Sequence, residues 1–309
     1  MSQRILVTGG TGMVGRALRR EPTLARQDLL APTREELDLR DAAAVQRYMQ
    51  RARPDLVVHA AGKVGGIAAN MAAPVAFLVE NLDIGRNVIL GAHKAGVKRL
   101  LNLSSSCVYP RDAPNPLREE SILRGELEPT NEGYALAKIA ALRLCQYIAA
   151  EDATRSYKTF VPCNLYGPHD KFDPRSAHLI PALLDRLHRA KEEGAPAVSM
   201  WGDGTARREF MFVDDLARAV AKAAGDFAAV PRLMNVGLGT DLAVADYYRA
   251  VADCVGYRGR FEHDLSKPVG MQRKVVDVSR QEAWGWRPTT TLADGLRKTY
   301  EHYLAGVPA

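Results

Sequence analysis

Long apolar runs are missing from this 309-residue chain. No stretch approaches the ~18 consecutive apolar residues of a membrane-spanning helix. The opening Met1-Ser2-Gln3-Arg4-Ile5-Leu6-Val7 reaches glycine too soon to form a signal-peptide core. Both absences lead to the expectation of a cytoplasmic protein with no membrane partner. Cysteine is scarce: Cys107, Cys145, Cys163 and Cys254 are the full set, and none forms a CxxC pair. No histidine follows at zinc-ligand spacing. Neither a metal site nor a disulfide framework is expected, and a reducing compartment fits. Basic clusters are missing too. The formal net charge of +6 is spread along the chain, with no nucleic-acid-binding motif. Nucleic acid is therefore not an expected partner. A solvated basic surface and an anionic small substrate both fit the charge.

What is present is a core-forming composition with a rhythm. Hydrophobic residues make up 47% of the chain, enough for one large domain or two modest ones. Ile5–Val7, Leu29–Ala31, Leu56–Val58, Arg99–Leu103 and Thr159–Val161 read as short buried strands. Helical patterns separate them at Ala42–Arg51, at Val75–Ala95 and around Tyr134 and Lys138. This α/β alternation implies a doubly wound parallel sheet covered on both faces. Past about Asn164 the rhythm breaks at Gly167-Pro168, Gly194-Ala195-Pro196 and Gly202-Asp203-Gly204. The expected division is a sheet domain over residues 1–165, with a strand returning to it near 233–237, and a smaller α/β substrate lobe over 166–309.

Gly9, Gly12 and Gly15 follow the first strand and open a helix. Glycine lets the backbone turn tightly against a pyrophosphate, and the helix N-terminus supplies free N–H donors. Thr11, Met13 and Val14 share that turn and are expected at the cofactor. NAD sites often place an acid at the end of the second strand to hold a ribose hydroxyl. Here the run is Leu30-Ala31-Pro32-Thr33-Arg34, with no acid. Arg34 suits the 2′-phosphate of NADP, with a plain surface arginine as the alternative. Asp38 and Asp41 are placed to touch adenine or to cap the next helix. His59-Ala60-Ala61-Gly62 ends the third strand in small side chains, which sets Ala61 beside the cofactor.

Tyr134 and Lys138 stand four apart on a helix and so share a face. Lys138 is expected to lower the phenol pKa and anchor the nicotinamide ribose. Tyr134 would then exchange a proton with a substrate oxygen, and Ser105 at a strand end would bond the same oxygen. With the glycine turn, in this order, the set resembles the extended short-chain dehydrogenase/reductase family. Further runs narrow the resemblance: Lys63-Val64-Gly65-Gly66-Ile67, Ser105-Ser106-Cys107-Val108-Tyr109-Pro110, Leu127-Glu128-Pro129-Thr130-Asn131-Glu132, Asn164-Leu165-Tyr166-Gly167-Pro168, His178-Leu179-Ile180-Pro181 and Arg208-Glu209-Phe210. These are similar to members that epimerise and reduce GDP-4-keto sugars.

That resemblance implies a Rossmann-type fold with NADP as cofactor and a GDP-sugar as substrate. The implied reaction is C3/C5 epimerisation and C4-keto reduction of GDP-4-keto-6-deoxy-D-mannose, giving GDP-L-fucose. It assigns Cys107 as base and His178 as acid. A thiolate suits the base, and an imidazole titrates in the range for the acid. The ring hydrogens beside the ketone are acidic because the carbanion delocalises into an enolate. Asn164, Leu165 and His178 fall near the nicotinamide and sugar. Arg186, Arg208 and Lys274 match diphosphate contacts, and Trp201 would pack on guanine or ribose. A homodimer built by helices near Val75–Ala95 and Tyr134–Ala149 is implied as well. The competing readings are a relative acting on a GDP-heptose or dideoxy sugar, a plain nucleotide-sugar 4-epimerase, and a nonenzymatic NADP sensor.

Overall fold

A computed structural model describes residues 2–173, 176–266 and 270–306. Ile5, Leu6 and Val7 have no exposed surface and form the middle of β1 (Arg4–Thr8). β2 (Asp28–Leu30) pairs with one side of β1, and β3 (Leu56–His59) with the other. β4 (Arg99–Leu103) and β5 (Ser156–Pro162) extend the sheet beyond β3. The Leu233–Val236 strand completes it next to β5. All five pairings are parallel, so helices must make the crossovers. β2 ends at Leu30, one residue before the expected boundary. Pro32 lacks a backbone N–H, and the chain leaves the sheet ahead of it.

Alternation along the strands sorts the core into two layers. Leu6, Val57, Leu100 and Tyr157 pack with Val45, Met49, Val88, Ile89 and Ile148. These come from the Ala42–Ala52, Pro74–Lys94 and Glu132–Glu151 helices on one face. Ile5, Val7, Val58 and Leu101 pack with Ala17, Leu18, Leu216 and Val220 on the other. There the Met13–Arg20 helix lies against Val213–Gly225.

A second core surrounds the Leu179–Glu192, Val244–Val255 and Leu292–Gly306 helices, with Tyr166, Leu184, Phe212 and Tyr247 at its centre. Short strand pairs border it. Asn164–Tyr166 pairs with Phe210–Phe212, and Ala197–Trp201 with Arg260–Asp264. Arg207–Arg208 lies between Leu242–Ala243 and Arg273–Lys274, which sets Arg208 beside Lys274 in register. Among the described residues, no helix is long and apolar enough to cross a membrane.

One buried amide ties the loops at the sheet's carboxyl edge. Asn235 has no exposed surface. Its Oδ1 accepts from the Tyr109 hydroxyl, and its Nδ2 donates to the carbonyls of Leu117 and Asp277 at 2.9 and 3.0 Å. Its own N–H donates to Glu119 at 2.8 Å. Substituting Asn235→Ala leaves the buried Tyr109 phenol and the Asp277 carbonyl without this partner, while the Leu117 carbonyl keeps the Asp277 N–H at 2.9 Å. The expected loss is about 3 kcal/mol of folding stability, read from the urea midpoint; a change within 0.5 kcal/mol of zero (roughly, the range of neutral substitutions) would contradict this account.

Candidate active site

The strand order turns at β1: the first crossover runs from β1 to β2 on one side, and the next runs back past β1 to β3 on the other. A crevice opens at the carboxyl ends of such strands. Here it is a cleft of about 1020 Å³. That exceeds what one small molecule needs and suits two nucleotides side by side. Apart from Asp41, every residue singled out from the sequence as catalytic, cofactor-binding or substrate-binding lines it.

The glycine turn forms one end. Gly9 has φ +74°, and a Cβ there would lie 2.8 Å from the Ala61 Cα. A Cβ on Gly15 would lie 2.1 Å from the Gly9 carbonyl oxygen, so only glycine lets the helix close on the turn. Gly12 caps the Met13–Arg20 helix with no side-chain acceptor, which leaves N–H donors of Met13 and Val14 for an anion. This cradle fits the diphosphate of a dinucleotide. Arg34 is exposed at the rim. The Asp38 carboxylate is paired with Arg40 at 2.6 Å, and those hydrogen bonds hold it well below the usual carboxylate range. Asp41 accepts from Ala43 and Ala44 N–H, so the helix cap is Asp41 and not Asp38. Thr8 Oγ1 and His59 Nδ1 lie 2.8 Å apart between β1 and β3, and Thr8 Oγ1 accepts from the Ala61 N–H at 3.3 Å.

At the other end, the Ser106–Val108 turn follows β4. Ser105 lies in hydrogen-bonding contact with the buried Tyr134 phenol. Lys138 Nζ donates to the Leu103 carbonyl at 3.1 Å and sits 5.7 Å from the Tyr134 ring centre. The expected lowering of the phenol by Lys138 is not found. Burial pushes Tyr134 up, with the Cys107 charge adding to it, and only the Ser105 bond opposes the rise. Lys138 itself is pulled down to about 8 by burial. Cys107 Sγ accepts from Asn131 Nδ2 at 3.4 Å and from Lys274 Nζ at 3.5 Å. His178 caps the Leu179–Glu192 helix. Burial, then Lys274 and Lys171, push its imidazole down to about 4, below the range expected of a general acid.

The third wall carries the cations. Arg208 is largely enclosed, and burial pulls its guanidinium below its ordinary value. Arg186 donates to the Ser199 carbonyl at 2.8 Å, and Trp201 is 39% exposed, enough to offer a ring face. Lys274 was expected only at a diphosphate; its ammonium also reaches the Cys107 sulfur. Cys145 and Cys163 are buried away from solvent.

Three residues were not singled out from the sequence. Glu209 is buried, and accepts from the Leu238 and Gly239 N–H groups and from Val276 N–H at 2.8 Å. Its backbone carbonyl accepts from Asn164 Nδ2 at 2.9 Å. One residue, through its carboxylate and its backbone carbonyl, thus joins the segments that carry Asn164, Arg208 and Lys274. Its signal was a lone acid before the apolar Phe210-Met211-Phe212. Asn131, beside the sulfur, lay inside a quoted run without a role. His59 was read only as a strand end. Among the described residues, no group of three His, Cys, Asp or Glu side chains is placed to hold a metal ion.

The NAD dependent epimerase/dehydratase family matches residues 5–237. The chain is 48% identical to a GDP-L-fucose synthase from Azorhizobium caulinodans, over 98% of this chain and 97% of that protein. It is 45% identical to a GDP-L-colitose synthase from Yersinia pseudotuberculosis, over 97% and 98% respectively. A solved GDP-mannoheptose C4 reductase from Campylobacter jejuni with NADP bound is 31% identical and superposes with a TM-score of 0.87 over 98% of both chains.

His59 makes the site acid-sensitive. Burial, then the Lys138 charge, push its imidazole down to about 3. In the unfolded chain a histidine titrates near ~6.5. The folded state therefore binds fewer protons than the unfolded one between those values. The stability from a neutral His59 is complete above the unfolded pKa and is lost as pH falls towards the folded one. His178 adds to the upper part of that window. Calorimetry from pH 7 to pH 4 (roughly, the span between those titrations) should show a falling melting temperature, and a shallower fall in His59→Gln. Identical slopes would exclude His59 as a source.

Proposed function

The chain belongs to the NAD dependent epimerase/dehydratase family, and from that membership we propose that it converts GDP-4-keto-6-deoxy-D-mannose to GDP-L-fucose with NADPH. The observation that carries the reading is the thiol. Cys107 and His178 line the same cleft as Ser105, Tyr134 and Lys138, and Lys274 acts on both of them. Ketone reduction alone needs neither a thiol nor an imidazole. Proton transfer on carbon needs a base and an acid.

The residues divide the work as follows. The Gly9–Gly15 turn holds the cofactor diphosphate, Arg34 its 2′-phosphate, and Lys138 the nicotinamide ribose. NADPH, when bound, supplies the hydride for the C4 carbonyl. Arg186, Arg208 and Lys274 hold the GDP diphosphate, with Trp201 against guanine or ribose. Ser105 and Tyr134 donate to the C4 oxygen, so charge that develops there during enolisation is stabilised. Cys107 removes a proton from C3 or C5, and His178 returns one to the opposite face. A substrate diphosphate beside Lys274 and Lys171 offsets the charges that depress His178, which favours the protonated imidazole. After epimerisation, Tyr134 gives its proton to the C4 oxygen as the carbonyl is reduced.

A second reading, the same chemistry on another GDP-4-keto sugar, is favoured by the 45% identity to the GDP-L-colitose synthase. We also propose a homodimer. Val75 and Val79 on the Pro74–Lys94 helix are 73% and 47% exposed, and Leu136 and Tyr147 on the neighbouring Glu132–Glu151 helix are 41% and 61% exposed. Two such helices pair naturally with their symmetry copies.

Incubation with GDP-4-keto-6-deoxy-D-mannose and NADPH, with the product identified by NMR, tests the reaction. Cys107→Ser should stop deuterium incorporation at C3 and C5 from D₂O while NADPH still binds; unchanged incorporation would remove Cys107 from the role of base. Tyr134→Phe should lower NADPH oxidation by about 100-fold or more. Arg34→Ala should raise the KM for NADPH about tenfold and leave that for NADH unchanged; equal effects on both cofactors would refute the 2′-phosphate contact.

A further inference from the structure

We propose that Asn131 activates Cys107: its side-chain amide and the Lys274 ammonium form a two-donor cradle that favours the sulfur as a thiolate. The inference rests on the reading above, in which Cys107 is the epimerisation base.

Asn131 stands at the N-cap of the Glu132–Glu151 helix, where an asparagine ordinarily turns its side-chain oxygen onto the helix N–H groups. It does not do so here. No side-chain cap bond forms, and Nδ2 points at the Cys107 sulfur, 3.4 Å away. Its Oδ1 is buried with no partner. The residue therefore forgoes a capping bond and leaves an acceptor unsatisfied while it donates to sulfur. A purely structural asparagine at this position would satisfy the opposite preference. The second donor, Lys274 Nζ, reaches the same sulfur at 3.5 Å from the Arg273–Lys274 strand.

Amide and ammonium groups are strong donors and a thiol is a weak acceptor, so both contacts gain strength when sulfur carries charge. The Cys107 charge acts on Tyr134 and Lys138. Both lie on the helix that Asn131 opens, so one helix start sets the base and the ketone-polarising group together. In the step served, a sulfur lone pair forms the S–H bond. The C–H pair becomes the enolate double bond, and the carbonyl pair moves onto the C4 oxygen. The amide supplies no proton and remains unchanged.

The test is alkylation of Cys107 by iodoacetamide, followed peptide by peptide by mass spectrometry across pH, on the full chain without substrate. In Asn131→Ala the pH of half-maximal alkylation should rise by about one unit. Asn131→Asp, of equal size but anionic, should raise it further. Asn131→Ser, which keeps a short donor, should fall between wild type and Asn131→Ala. Circular dichroism establishes which variants are folded, and if Asn131→Ala is not, the isosteric Asn131→Asp decides. An unchanged alkylation profile in a folded variant overturns the proposal. Deuterium incorporation into GDP-4-keto-6-deoxy-D-mannose should fall about tenfold in Asn131→Ala. If wild type itself incorporates none, the functional reading fails, and the alkylation profile still decides the role of Asn131.

Discussion

Parallel pairing on both sides of β1 is the constraint on which the rest depends. With β2 on one side and β3 on the other, the crossovers part, and the carboxyl ends of the strands are left uncovered. The Thr8–His59 hydrogen bond staples this parting point from within. Several of the residues at the cleft come from the segments that follow strands, while Tyr134 and Lys138 come from the Glu132–Glu151 helix. The glycine turn follows β1, Ala61 follows β3, Ser105 and Cys107 follow β4, and Asn164 follows β5. Parallel strands oblige these loops to lie at one edge, because every strand ends there.

The other wall has a different foundation. Arg208 and Lys274 lie 66 residues apart in the chain (274 − 208) and become neighbours through one parallel pairing. Glu209 secures that pairing from behind by accepting N–H groups from Leu238, Gly239 and Val276. Burial pushes its carboxyl up to about 7, and the donated backbone hydrogen bonds oppose that rise. The carboxylate thus anchors the turn that follows the Leu233–Val236 strand and the segment that follows Lys274. Asn235 does the same for the Tyr109 side of the Cys107 turn. The two buried groups grip adjacent residues of one segment: Glu209 takes the Val276 N–H, and Asn235 donates to the Asp277 carbonyl.

Much of this was legible beforehand. Short aliphatic runs mark the strands, since a strand buried on both faces needs continuous apolar residues. The spacing of Tyr134 and Lys138 put both on one helical face. What failed was electrostatics. Lys138 was expected to lower the phenol; the buried pair instead desolvates, and the ammonium spends its bond on the Leu103 carbonyl. The sequence reading puts His178 in the range of a general acid; burial first, then the charges of Lys274 and Lys171, push it lower. Burial and the approach of Lys274 are tertiary effects that no local motif registers.

The alternation of elements, the glycine turn, and the residue types available for hydride and proton transfer are all written in the order of the amino acids. These depend on backbone freedom and side-chain periodicity, which are local. Folding selects the cation that meets the Cys107 sulfur, turns Asn131 from its helix to that sulfur, and makes Glu209 the tie between three segments. Those outcomes depend on distances between residues far apart in the chain and on how much water their packing removes. Neither quantity exists until the sheet and the second core have closed around the cleft.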